Sequence, residues 1–209
     1  MSHWVTAPGP IAPGLRIGLL GGSFNPAHGG HLYASLMAMR QLDLDYVWWL
    51  VTPRNPLKPA SELEPLKERL CEACHQAKHP RIAVMDIESR LRTHYTIDTV
   101  SALQRRFPQV HFVWLMGSDN LAQFRRWRRW PDIAARIPIA VIQRPGTTMA
   151  QIQAKAIQRF GRRRVARGLA LMRPPAIAIL DGARSKESAS ALRQAAWARE
   201  ALVHAIPTC

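Results

Sequence analysis

Acidic residues are scarce in this chain: 14 Asp and Glu stand against 29 Lys and Arg, for a formal charge of +15 over 209 residues. Such an excess has two readings, a solvated arginine-rich face or a surface that attracts polyanions without sequence preference. Cysteine is rarer still. Three cysteines, an odd number, do not make a disulfide framework. No apolar run approaches the ~18 residues needed to span a bilayer. The first fourteen residues, Met1 to Gly14, have neither the basic start nor the apolar core of a secretory signal, so the expected address is the cytoplasm. An internal repeat, a dividing linker and a convincing nucleophile–base pair are also missing. What remains is a chain with 47% hydrophobic residues, too many for disorder. Its length suits one compact domain over 15–209, preceded by a Pro- and Gly-rich leader, 1–14, expected to be flexible.

Strand-like and helix-like patterns alternate along it. Apolar, β-branched runs fall at Arg16–Leu20, Tyr46–Val51, Arg81–Asp86, Val110–Leu115, Ile139–Ile142 and Ala176–Leu180. Helical periodicity falls at Gly30–Leu42, Glu62–Lys78, Thr96–Phe107, Asn120–Arg126, Met149–Phe160 and Ser188–His204. Alternation of this kind predicts an α/β fold: a Rossmann-like, doubly wound parallel sheet in a single domain, covered on both faces. Ligands of such sheets sit beyond the carboxyl ends of the strands, where the strand order reverses.

One of those strand ends carries the densest information. Gly21-Gly-Ser-Phe-Asn-Pro-Ala-His-Gly-Gly-His-Leu32 runs from the first strand into the first helix. Free backbone N–H groups and the positive helix end make such a turn a phosphate site. Gly21 and Gly22 are expected to make the sharp turn and allow close approach of a ligand. His28 and His31, three residues apart at a helix start, can face one ligand together. The stretch resembles the Gly-Gly-x-Phe-x-Pro-x-His-x-Gly-His loop of the nucleotidyltransferase superfamily, in which small adenylyl- and cytidylyltransferases share an HxGH motif.

Further blocks resemble the nicotinate-nucleotide adenylyltransferases of that superfamily, and the resemblance implies a role for each. The loop Val51-Thr-Pro-Arg-Asn-Pro-Leu-Lys58 places Lys58 either as a phosphate ligand or as a surface lysine. In His94-Tyr-Thr-Ile-Asp-Thr-Val100, His94 replaces the family's usual serine, and Thr96 either caps a helix or helps to read the nicotinate carboxylate. The block Val113–Trp130 offers Gly117 for close approach, Asp119 for a ribose, and Trp127 as a stacking face for a pyridine ring or as core. Arg144-Pro145-Gly146 matches the family's Arg-Pro-Gly turn. Ser188-Ala-Ser-Ala-Leu-Arg193 matches in part the Ser-Ser-Thr-x-Ile-Arg signature that holds ATP phosphates, with Ala189 in place of the second serine and Ser190 in place of the threonine.

The implied reaction moves AMP from ATP to nicotinate mononucleotide, releasing pyrophosphate, with Mg²⁺ accompanying the ATP. His28, His31 and Arg193 are the expected catalytic group. Gly21, Gly22, Ser23, Phe24, Gly117, Asp119, Ser188 and Ser190 are expected to complete the ATP site, and Asn25, Lys58, Thr96, Trp127 and Arg144 the mononucleotide site. The rivals are superfamily members acting on phosphopantetheine, nicotinamide mononucleotide or a cytidylyl substrate, and a non-catalytic RNA-binding protein of the same fold. Cys71-Glu-Ala-Cys74-His75 has the C-x-x-C-H spacing of haem attachment. It also sits in an amphipathic pattern with Leu63, Leu66, Leu70, Cys74 and Ala77 on one face, which reads as a buried helix side.

Overall fold

Trp48 and Trp49 are consecutive, point to opposite faces of one strand, and are both wholly buried. A strand covered on both faces belongs inside a sheet with helices on each side. The computed structural model, which describes residues 9–54, 63–143 and 168–180, has that arrangement. Six strands, β1 (Arg16–Gly22), β2 (Tyr46–Val51), β3 (Ile82–Met85), β4 (His111–Gly117), β5 (Ile139–Ile142) and β6 (Ile177–Leu180), form one sheet in the order β3-β2-β1-β4-β5-β6. Every pairing is parallel. The order reverses between β1 and β4, which makes the carboxyl end of that pair the switch point where ligands of such sheets bind.

Helix α1 (Gly29–Leu42) and helix α2 (Leu66–Gln76) cover one face, burying Ala38, Leu42 and Ala73 against Trp49, Val47 and Leu115. Helices α3 (Ile87–Leu91), α4 (Thr96–Arg106), α5 (Ser118–Gln123) and α6 (Trp130–Arg136) cover the other. There Ile97, Val100, Leu103 and Ile133 close over Trp48, Phe112 and Ile139. No helix among the described residues is long and apolar enough to cross a membrane.

The six predicted strands are all present: β2 and β5 have the expected bounds, and the ends of the others shift by at most two residues. Two short helices were not foreseen. Helix α3 has only five residues, too few for a periodic pattern to emerge. Helix α6 carried a usable signal, Pro131 in its first turn followed by Asp132. The predicted helices at Met149–Phe160 and Ser188–His204 lie outside the described residues.

One expectation about these elements needs correction. Cys74 does not join the buried side of α2: it is exposed, as is Cys71, and the side facing the sheet is formed by Leu66, Arg69, Leu70, Ala73 and Ala77. Of residues 9–14, which fall within the expected leader, Gly9 and Ile11 are half-buried and the others are exposed. Ile11 packs on the cluster that contains Trp48, and the Gly14 N–H donates to the Gln109 carbonyl at 2.8 Å. A Cβ at Gly9 would come within 2.9 Å of the Trp48 indole nitrogen.

Candidate active site

The loop after β1 is built differently from the expected glycine turn. Gly21 and Gly22 are the last two residues of the strand, in register with Leu50 and Val51. Gly21 is required for packing: a Cβ there would meet the Trp114 ring at 2.7 Å. The left-handed residue that turns the chain is Phe24, with φ 48°. A bulky residue in that region costs about 1–3 kcal/mol and persists only where its surroundings over-determine it. Here they do, because the Phe24 ring is buried, stacks on Trp49 with centroids 5.1 Å apart, and lies 4.7 Å from the His31 ring. Phe24 therefore supports the histidines from behind.

His28 and His31 cap α1 reciprocally. The Gly30 N–H donates to Nδ1 of His28 at 3.1 Å, and the His28 N–H donates to Nδ1 of His31 at 3.2 Å. This is the logic of a capping box, carried by imidazoles. It also assigns the tautomer: a ring nitrogen that accepts from an amide carries no proton, so each neutral ring bears its proton on Nε2. The two rings lie 4.0 Å apart between centroids. Below them, the Trp49 indole N–H donates to Ser35 Oγ at 2.8 Å, and that hydroxyl donates to the His31 carbonyl at 2.8 Å. Gly30 is held to glycine by the cap, since a Cβ would sit 2.8 Å from Nδ1 of His28.

Thr52, just past β2, joins this loop to the next. Its N–H donates to the Gly22 carbonyl at 3.0 Å. Asn25 accepts from the Glu64 N–H at 3.1 Å, tying the loop to the approach of α2. On the far side of Thr52 lies Glu88, nearly buried and hydrogen-bonded by Thr99. Burial pushes its carboxyl above the usual range, against the opposing pull of Thr52, Thr99 and His94. Sequence reasoning missed Glu88 altogether.

Thr96 is the first residue of α4; Tyr95 holds the cap position, and no side chain caps this helix start. Thr96 is thus not the helix cap that one reading allowed. The Arg128 guanidinium lies 4.6 Å from the Tyr95 ring centroid, which brings the segment around Trp127 to the start of α4. Trp127 itself is half-buried, edge-on to Trp114 at 6.1 Å and to Phe124 at 5.4 Å. Gly117 ends β4 and precedes the first turn of α5, where Ser118 is buried and Asp119 exposed. Lys58, Arg144, Ser188, Ser190 and Arg193 lie outside the described residues.

A Rossmann-like sheet with two capping histidines at its switch point is the arrangement that the resemblance to nucleotidyltransferases implies. Residues 19–195 match the family model described as cytidylyltransferase-like. A probable nicotinate-nucleotide adenylyltransferase of Parvibaculum lavamentivorans is 50% identical over 188 residues, covering 88% of this chain and 94% of that one. One of Methylorubrum extorquens is 51% identical over 183 residues, covering 86% and 99%. The fold is also that of a Plasmodium falciparum nicotinic acid mononucleotide adenylyltransferase complexed with APC, at a TM-score of 0.61 and 14% identity over 82% of this chain and 77% of that one. The chain belongs to the nicotinate-nucleotide adenylyltransferases of the cytidylyltransferase-like family.

Proposed function

We propose that this enzyme transfers AMP from ATP to nicotinate mononucleotide, giving nicotinate adenine dinucleotide and pyrophosphate, by direct in-line attack. The observation that carries the reading is the histidine pair, whose Nδ1 atoms are both engaged by backbone amides. In the neutral ring the proton then sits on Nε2, which makes that nitrogen the donor of each imidazole. The attacking group is a phosphate monoester, already largely anionic at neutral pH with a second pKa of about 6. It needs no general base and no covalent intermediate, so catalysis reduces to positioning and to charge stabilisation in the transition state.

The roles follow from that chemistry. His28 and His31 bind phosphate oxygens as charge shifts toward pyrophosphate, and Arg193 steadies the departing group with Ser188 and Ser190. Gly21, Gly22, Ser23 and Phe24 line the ATP side through their backbone, with Gly117 and Asp119 across the switch point. Asn25, Lys58, Thr96, Trp127 and Arg144 serve the mononucleotide. ATP enters as its Mg²⁺ complex, an ion that takes most of its ligands from phosphate and water. The start of α4, where the cap residue Tyr95 makes no side-chain cap bond, suits the nicotinate carboxylate, because an anion there meets the positive end of the helix dipole. A neutral amide would gain less.

Pyrophosphate release with Mg-ATP and either nicotinate or nicotinamide mononucleotide, measured side by side, tests both levels. Strong preference for the acid is expected. Equal use of the two would remove the role given to the start of α4, and no release with either would overturn the assignment.

A further inference from the structure

Arg69 is the one large charged side chain among the biggest wholly buried residues described, and its surroundings are unusual. A buried guanidinium is ordinarily matched by a carboxylate, since an unpaired buried charge is costly. Here every described bond goes instead to a main-chain carbonyl. Nε donates to Glu64 at 2.8 Å, one terminal nitrogen donates to both Ser23 at 2.6 Å and Thr52 at 2.8 Å, and the other reaches Pro53 at 3.3 Å. The three segments concerned are the histidine loop, the end of β2 and the approach to α2. They have no other single side chain in common among the described bonds.

The choice of arginine follows from this geometry. Its planar fork holds several acceptors at fixed angles, whereas a lysine ammonium is a point donor on a flexible stem. Ser23 stands one residue before Phe24, whose left-handed backbone aims the ring that backs His31. Thr52 donates its N–H to the Gly22 carbonyl, and its own carbonyl shares Arg69 with that of Ser23. One nitrogen of Arg69 therefore sets the gap between the loop that carries the histidines and the loop that leads from β2.

We propose that Arg69 is a positioning residue for adenylyl transfer: it locks the two loops together so that His28 and His31 meet the reacting phosphates in a fixed geometry. The proposal rests on the function given above. It assigns Arg69 no contact with substrate, and its effect passes through the histidines. Small misplacements of groups that stabilise a transition state cost rate far more than they cost ground-state binding.

The test is a cycle of Arg69→Lys with His31→Ala in the full-length protein, with folding checked by circular dichroism and thermal melting. Arg69→Lys is expected to lower kcat about 10- to 100-fold while changing the KM for ATP by less than about 3-fold. In the His31→Ala background the same change should cost measurably less than in wild type, because one of the two groups it positions is already gone. An equal loss in both backgrounds, or a folded Arg69→Lys enzyme with normal kcat, would overturn the proposal. If Arg69→Lys does not fold, hydrogen exchange on the unliganded wild type decides. Slow exchange at Thr52, His28 and Gly30 is required, and rates like those of an open loop would overturn it. A wild-type protein that releases no pyrophosphate from Mg-ATP and nicotinate mononucleotide would refute the reaction assignment, while the exchange measurement would still judge the clamp.

Discussion

Two arginines mark the two ends of the sheet, and they are held in opposite ways. At the amino end, Arg16 bonds the carboxylates of Asp43 and Asp45 across the start of β1 and β2, and its backbone N–H also donates to Asp45 at 2.8 Å. Those partners raise the pKa of the guanidinium. At the carboxyl end, Arg69 is buried among carbonyls, and burial lowers its pKa. Charge at the amino end is neutralised on the spot. At the carboxyl end the described hydrogen bonds of the guanidinium all go to backbone carbonyls, and the Glu64 carboxylate nearby only partly offsets the effect of burial.

The two ends also differ in their acids. Burial would raise Asp45, yet the backbone and side-chain hydrogen bonds of Arg16 bring it below its ordinary value. Glu88, at the other end, is pushed up by burial and stays up. Their contributions to stability therefore run in opposite directions with pH. Asp45 stabilises the fold above the ordinary carboxylate range, and that stabilisation is lost as pH falls through its lowered value. Glu88 favours the fold most when it is protonated, and that advantage is lost as pH rises through its raised value.

The contrast can be broken most severely at the histidines. His31→Ala is expected to lower kcat/KM on the order of 10³-fold, as loss of one charge-stabilising group does in phosphoryl transfer. Its melting temperature should move little, and pyrophosphate release with thermal melting checks both. Gly30→Ala should follow, with a loss of about 10- to 100-fold, because the new Cβ displaces His28 from its cap. The gain of about 0.5–1 kcal/mol from alanine in a helix is offset by a lost cap worth about 0.5–2 kcal/mol, so stability should change little while activity falls. A variant with normal turnover would show that the cap does not place His28.

Glu88→Gln sharpens the comparison through pH. Melting of variant and wild type should differ least under acid conditions, with the variant gaining on wild type as pH rises above the ordinary carboxylate range toward the raised Glu88 value. The smallest effect is expected for Asp45→Asn. Its partly exposed ion pair is worth about 0.5–1 kcal/mol at neutral pH, and the gap from wild type should close on acidification. Parallel pH trends for the two variants would remove the distinction between the ends.

Much of this was readable in the chain. The apolar runs located the strands because a parallel sheet buries both faces of every strand, as Trp48 and Trp49 record side by side. The HxGH loop was readable because its histidines act at fixed local spacing. The turn itself was misread: Gly21 is glycine because Trp114, far away in sequence, lies against it, and the left-handed position fell to Phe24. The phase of α2 was misread as well. Leu66, Leu70 and Cys74 make as good an apolar stripe as Leu66, Leu70 and Ala73, and only docking against β2 and β3 turned Arg69 inward and Cys74 outward.

By itself the sequence determined the sheet, the order of its elements and the pair of histidines that cap α1, since each depends on residue types at short range. The tertiary structure decided what Arg69 and Glu88 are. Ser23 and Thr52 stand 46 and 17 residues from Arg69 in the chain. Whether a charged side chain ends in water, beside an acid or among carbonyls depends on which distant segments close around it, and no local pattern encodes that encounter.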